Sequence, residues 1–415
     1  MEKESSFIEM SAKPFSRSTV AEKHTPWYLY NFVKSYLYLL SSGQCTNSDV
    51  EVVSLTGVAE PYARRPKSIS VSDDMGGRYV RVSDAIITGS LRFRGGLYQV
   101  SVFFESRHSE EVEYYVHVLG EGENSGDAQV LLDYLLTNCV RTSPYQNETL
   151  LASSERCNGQ MMGLFGIDIG NDSLDDVFLP TGVRQHLELF ISALSSFDRV
   201  RTPLRYLFSG KPGTGKTKII RAIANACKGK ATFLFSNGAE QRVDDLFEIA
   251  SMFSPVVLCI DDIDMLTGSR QDGLYNRQLA TFLQRLDGFT KGDQFLLATT
   301  NDKALVDLAA SRPGRFDRIL DVSLIEPTHY LSLVKSKTGN EKVVDQFDED
   351  ILSLLRRKRV SGAFIATLVK HLELISTFNP SRLDREYVVS TIEGSLEGFY
   401  EENKDGREAL GFRAA

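Results

Sequence analysis

Residues 208–217 read Phe-Ser-Gly-Lys-Pro-Gly-Thr-Gly-Lys-Thr. Gly210, Gly215, Lys216 and Thr217 stand there in the spacing G-x-x-x-x-G-K-T. Glycines placed this way let the backbone curl until successive N–H groups point at one anion. Lys211, Pro212, Gly213 and Thr214 complete the cradle. In such a loop the lysine reaches the outer phosphates of a nucleotide, and the threonine hydroxyl ligates magnesium. The competing account is a glycine-rich turn with no ligand. The flanks argue against it. Tyr206-Leu207-Phe208 is an apolar, aromatic strand run. From Lys216 to Ala226, Ile219, Ile220, Ile223 and Ala226 recur as a helical stripe. An anion in the loop then faces a helix N-terminus, whose dipole favours it.

Three further groups supply chemistry. Val256-Val257-Leu258-Cys259-Ile260 is a continuous apolar run ending in Asp261-Asp262. A strand buried on both faces explains the run. Its acids then lie at the carboxyl end, where open α/β sheets bind ligands. Asp261 is suited to ordering magnesium through water, and Asp262 to polarising an attacking water. A helix cap is the plainer use of an aspartate there. Phe295-Leu296-Leu297-Ala298-Thr299-Thr300-Asn301 is a second buried strand ending in polar groups. Asn301 would orient the water or touch the outer phosphate, or simply shape a turn. Ser311-Arg312-Pro313-Gly314-Arg315-Phe316-Asp317-Arg318 follows. Phosphoryl transfer spreads negative charge over the transferred group, and an arginine fork stabilises it. A solvated basic loop is the alternative.

The elements that must carry these groups alternate. Strands are expected near 204–209, 231–236, 255–261 and 294–300. Helices are expected near 181–196, 216–228, 242–252 and 273–287. That alternation predicts an α/β domain with a parallel sheet covered by helices, over residues 173–326. After Pro327 the apolar pattern is helical through Ile351–Leu355, Phe364–Leu374 and Tyr387–Phe399, so residues 327–415 read as a small helical domain. Residues 1–172 read as an α+β module with a linker. Residues 1–25 are polar and expected to be loose, and 26–42 form a helix. Leu91, Phe93 and Leu97–Phe104 form strands around a Gly95-Gly96 turn, and Val112–Leu119 forms another. Residues 127–140 form a helix with Val130, Leu131, Tyr134 and Leu135 on one face. Residues 141–172 carry Ser, Asn, Gly and charges and read as the linker.

Composition sets outer bounds. A hydrophobic fraction of 42% with 25% charged residues fits a globular protein with a real core. The net charge of −8 weighs against a general nucleic-acid binder. Five scattered cysteines with no C-x-x-C fit reduced, intracellular usage, and the dispersed histidines suggest no zinc site. The opening Met-Glu-Lys-Glu-Ser-Ser has no secretory pattern. Pro26–Leu40 is broken by Asn31, Lys34 and Ser35 and is too short to span a bilayer. It reads as an amphipathic helix, with an interfacial membrane helix as the alternative. A cytoplasmic or otherwise intracellular protein is expected, and peripheral membrane association is compatible with it. The basic clusters Arg64-Arg65-Pro66-Lys67 and Arg356-Arg357-Lys358-Arg359 read as solvated chain.

The combination resembles the AAA family of P-loop ATPases. Members carry the P-loop, an apolar strand ending in acids, A-T-T-N, and then R-P-G-R-F-D-R. The last two stand here as Ala298–Asn301 and Arg312–Arg318. The resemblance covers about residues 174–370 and implies ATP and magnesium as cofactors. It implies that Arg312 and Arg315 act on nucleotide held by a neighbouring subunit of a ring, a hexamer or less often a heptamer. Val360-Ser361-Gly362-Ala363 resembles the family's S-G-A turn near adenine, which assigns Gly362 and Ala363 to the base. Leu174-Asp175-Asp176-Val177 resembles the segment on its other side, which assigns Asp176 and Val177.

There are departures. The second acid is aspartate where glutamate is usual, and Lys211 replaces a proline. After Phe235 the chain runs through Ser236–Gln241 into a helix, with no aromatic–apolar–glycine pore loop. That shortening, with Arg201–Leu207, resembles the branch containing the mitochondrial Rieske-protein translocase. Phe247 follows, on one helical face with Val243, Leu246 and Ala250, and reads as core. The expectation is a ring-forming ATPase that remodels or translocates a protein partner bound by residues 1–172. The rivals are a DNA-associated ATPase or loader and a slowly hydrolysing assembly switch.

Overall fold

The computed structural model describes residues 19–45, 47, 49–58, 71–73, 80–82, 86–106, 112–120, 127–153, 163–237, 243–267, 275–288, 294–302, 312 and 314–400. The Arg64–Lys67 cluster, residues 157–162, the 238–241 loop and Pro313 lie outside them.

In chain order the N-terminal elements are β1 (Thr19–Thr25), α1 (Trp27–Ser41), β2 (Val50–Val58), β3 (Val71–Asp73), β4 (Val80–Val82), β5 (Ile86–Phe93), β6 (Gly96–Ser106), β7 (Val112–Gly120), α2 (Ala128–Arg141), β8 (Thr149–Ser153) and β9 (Gly163–Gly166). A short 3-10 turn, Leu174–Asp176, precedes α3 (Thr181–Ser195), α4 (Phe197–Val200), β10 (Arg205–Ser209), α5 (Lys216–Ala226), β11 (Thr232–Asn237) and α6 (Val243–Met252). Next come β12 (Val256–Asp261), α7 (Tyr275–Gly288), β13 (Gln294–Thr300) and β14 (Arg318–Asp321). The last elements are α8 (Tyr330–Lys337), α9 (Glu341–Val344), α10 (Glu349–Lys358), α11 (Gly362–Phe378) and α12 (Arg385–Tyr400).

Contacts divide the chain into two units. The first comprises residues 1–167, 231–236 and 240–256; the second comprises 168–230, 237–239 and 257–415. Most of β11 and all of α6 group with the N-terminal residues.

The first unit holds an antiparallel sheet in the order β1-β7-β6-β5-β2. Alternation drives it: Tyr114, Val116 and Val118 of β7 point inward while their neighbours stay partly exposed. The β5–β6 turn is Arg94-Gly95, with φ of 49° and 82°. It lies one residue before the expected Gly95-Gly96, because a two-residue hairpin of this kind needs positive φ at both central positions. β1 corrects the expectation of a loose start for residues 19–25, while residues 1–18 lie outside the described residues. Its Glu22 and Lys23 hide an edge strand that pairs with β7, Thr19 opposite Gly120. α1 is a core helix, since Tyr28, Tyr30, Phe32, Val33, Tyr36 and Leu37 are all buried. Buried Lys34 lays its ammonium over the Tyr30 ring at 4.3 Å. On α2 the buried face is Ala128, Leu131, Leu132 and Leu135, and Val130 is exposed.

The expected linker is partly sheet. β8 runs parallel to β11, with Leu150 opposite Leu234, and β9 pairs antiparallel with β8. Leu150 and Ala152 are fully buried. Five residues are too few to announce a strand among Ser, Asn and Glu. Val243, Leu246, Phe247 and Ala250 of α6 are buried, as their shared face predicts.

The second unit contains the strand order β14-β10-β13-β12. β10 runs parallel to β13 on one side and to β14 on the other. Every residue of β10 and β13 is buried, the expected signature of an α/β sheet covered on both faces. From Tyr330 to Tyr400 the chain is mainly helical around its own core, in which Val334, Ile351, Leu355, Ile365, Leu372, Val388 and Ile392 are buried. Among the described residues, no helix is long and apolar enough to cross a membrane.

Candidate nucleotide site

β10 delivers the chain into the loop 210–215, and α5 leaves it. Only glycine fits at position 210, because an added Cβ would stand 2.2 Å from the Val322 carbonyl oxygen. Gly213 and Gly215 have φ of 75° and 97°, values a side chain disfavours. Lys211, Pro212 and Gly213 are exposed along the loop, and the Thr214 hydroxyl closes it by donating to the Lys211 carbonyl at 2.9 Å.

Lys216 is buried at 6% exposure, yet its ammonium has three acceptors. They are the carbonyls of Gly210 at 2.9 Å and Lys211 at 3.1 Å, and Asn301 Oδ1 at 2.6 Å. Burial lowers its pKa, against the pull of Asp262, Asp261 and Asp264. The Thr217 hydroxyl lies 3.0 and 2.8 Å from the two oxygens of Asp261. A threonine hydroxyl and a carboxylate brought together this way are the hard oxygen donors magnesium prefers.

Thr299 orients both acids. Its hydroxyl donates to Asp261 Oδ1 at 2.6 Å and accepts from the Asp262 backbone N–H at 2.8 Å. Asp262 has φ of 52°, so the chain turns sharply off β12 there. Its carboxylate accepts from Asn301 Nδ2 at 2.9 Å. Burial raises the Asp262 pKa, reinforced by Asp261 and Asp264 and opposed by Lys216 and Asn301. The Asn301 backbone N–H donates to Asp264 Oδ1 at 3.2 Å. Sequence reasoning gave Thr299 and Asp264 no role. Thr299 was visible inside A-T-T-N, but only its position beside β12 gives it meaning.

The two arginines of the R-P-G-R stretch differ. Arg312 is 67% exposed and donates to Asp287 Oδ2 at 2.9 Å. Arg315 is 7% exposed and forks onto the same carboxylate, Nε to Oδ1 at 2.8 Å and one terminal N–H to Oδ2 at 3.1 Å. These contacts, with that from Arg315 leading, hold Asp287 below the usual carboxylate range. Arg315 is therefore anchored within its own chain, and Arg312 is the freer of the pair. Arg205, buried at the start of β10, donates to the carbonyls of Leu286 at 3.1 Å and Gly314 at 3.2 Å. Asp287 and Arg205 carried no sequence signal.

Two further segments meet the loop and the helix that follows it. Ser361 caps α11 by accepting from Phe364 N at 3.2 Å, and the Ala363 N–H donates to the Gly213 carbonyl at 3.3 Å. Ser361 and Ala363 thus sit against the loop, and Gly362 lies between them, facing Leu333 and Ile325. The second segment, Ser173–Asp176, is shaped by a capping box and contacts α5 through Lys218. Ser173 Oγ accepts from Asp175 N at 3.2 Å, and Asp176 Oδ2 accepts from Ser173 N at 3.1 Å. Val177 follows, half-buried. Of the remaining sequence candidates, Arg356–Lys358 end α10 and Arg359 caps it, a solvated helix end with Arg356 paired to Glu349.

Residues 206–324 match the family "ATPase family associated with various cellular activities (AAA)". These residues of the chain form an AAA P-loop ATPase domain. It is 33% identical over 220 residues to proteasome-activating nucleotidase 2 of Halobacterium salinarum, covering 48% of this chain and 52% of that protein. It is 30% identical over 245 residues to the mitochondrial inner membrane i-AAA protease supercomplex subunit YME1 of Saccharomyces cerevisiae, covering 54% and 32%. A proteasome-activating nucleotidase of Methanocella arvoryzae is 31% identical over 197 residues, covering 43% and 46%. The chain thus spans about a third to a half of the length of these relatives. The matched region holds the P-loop, both acids, Asn301 and the two arginines.

Proposed function

We propose that this chain binds Mg–ATP and hydrolyses it to ADP and phosphate, using the energy to remodel a protein partner. The observation that carries the reading is the chain of contacts Thr217–Asp261–Thr299–Asp262–Asn301–Lys216, which gathers a metal-binding pair, a candidate base and a phosphate-binding lysine around one loop. The residues fit the cofactor. Gly210 to Gly215 supply a curled backbone, and Lys216 the cation for the outer phosphates. Thr217 and Asp261 would hold magnesium, which when bound neutralises charge on the phosphate oxygens. Asp262 takes the proton of the attacking water, and Asn301 holds Asp262 and the outer phosphate in register. Asp176, Val177, Gly362 and Ala363 flank the base.

Arg312 belongs to the site of a neighbouring copy in a ring, a hexamer by family resemblance. Arg315 supports it through Asp287. Residues 1–172 hold the partner. The short segment after Phe235 favours levering a folded partner over threading an extended chain. The deciding experiment compares phosphate release by wild type and Asp262→Asn, with nucleotide binding measured alongside. Loss of turnover with retained Mg–ATP binding supports the reading; equal turnover in both removes Asp262 from it. A very low wild-type rate, with ATP-dependent assembly intact, would favour a nucleotide switch, for which the short reach of aspartate gives a physical reason.

A further inference from the structure

α5 does more than begin at the phosphate loop. Lys218 and Asn225 lie seven residues apart, two turns along one helical face, roughly 10 Å at the helical rise. Both side chains reach the segment 170–176. Lys218 Nζ donates to the Asp176 carbonyl at 2.8 Å and lies 3.8 Å from Asp172 Oδ1. Asn225 Nδ2 donates to the carbonyls of Gly170 at 3.0 Å and Asp172 at 2.9 Å. That segment has only a single 3-10 turn, which leaves its carbonyls open to donors from outside it. The helix that presents the phosphates therefore also grips, by side chains alone, the segment leading into Asp176 and Val177.

We propose that Lys218 and Asn225 are positioning residues that fix the spacing between the base subsite and the phosphate subsite, and so set the preference for adenosine triphosphate over a bare triphosphate. The proposal rests on the reading above that residues 176 and 177 flank the base. The Lys218 ammonium is turned to Asp176 and Asp172, while Lys216 occupies the loop. Its effect passes through the 170–176 backbone.

The test measures binding of Mg–ATP, Mg–GTP and Mg–tripolyphosphate to the full chain. Tripolyphosphate senses the phosphate subsite alone. Lys218→Met keeps the aliphatic stem and removes the donor. It should weaken Mg–ATP about tenfold, the scale of one net hydrogen bond, and leave Mg–tripolyphosphate within about twofold. ATP and GTP should move closer together in affinity. Asn225→Ala, a separate and partly exposed change, should act in the same direction. Lys218→Arg, which still donates, should restore most of the ATP preference. Equal loss of ATP and tripolyphosphate, or no loss of either, overturns the positioning role. A wild-type protein that binds neither ligand overturns the nucleotide reading itself, a result separate from any variant effect.

Discussion

The side chain of Asn301 joins Lys216 to Asp262. Its oxygen accepts from the lysine ammonium at 2.6 Å, and its nitrogen donates to the aspartate at 2.9 Å. One amide thus links the residue proposed to hold phosphate to the residue proposed to activate water. Asn301→Ala should lower kcat by about 10²-fold, the low end for losing control of a general base, with a smaller change in KM. Steady-state kinetics with ATP checks this. An unchanged kcat would make Asn301 a turn residue only.

Lys216→Ala should weaken Mg–ATP by about tenfold to a hundredfold, since a charge-assisted contact is worth about 1.5–3 kcal/mol. Calorimetry on the folded variant measures it. Undiminished affinity would take the phosphates out of the 210–217 loop.

Arg312 and Arg315 should separate on mutation. Arg312→Ala removes an exposed side chain, so it should keep the thermal midpoint and lose turnover, by about 10³-fold if it acts as an arginine finger. Mixing it with Lys216→Ala should recover some activity, because each copy supplies what the other lacks. Arg315→Ala leaves Asp287 without its principal partner and should lower the thermal midpoint as well. Equal midpoints for both variants would contradict the anchoring role. Full turnover by a strictly monomeric preparation would contradict action between subunits.

Leu150→Ala tests the added strand. A fully buried leucine replaced by alanine costs about 2–5 kcal/mol locally. Amide hydrogen exchange should rise along Thr232–Asn237, where Phe233 N–H donates to the Glu148 carbonyl at 2.9 Å. Protection that does not change would return residues 149–153 to the role of a linker.

What the amino-acid order determined by itself was chemistry written in short contiguous pieces. The 210–217 loop, the two acids and the A-T-T-N and R-P-G-R stretches each place their groups within a few residues. β10, β12 and β13 were legible because burial on both faces demands an unbroken apolar run. Tertiary structure decided which pieces meet. Lys216 and Asn301 are 85 residues apart in the chain, and Arg312 and Asp287 are 25. No local pattern encodes such a pair. β1 and β8 stayed hidden for a related reason. An edge or added strand is held by a partner's backbone, so its own side chains need not alternate cleanly. The unequal burial of Arg312 and Arg315 likewise depends on where α7 brings Asp287, which spacing in the sequence does not specify.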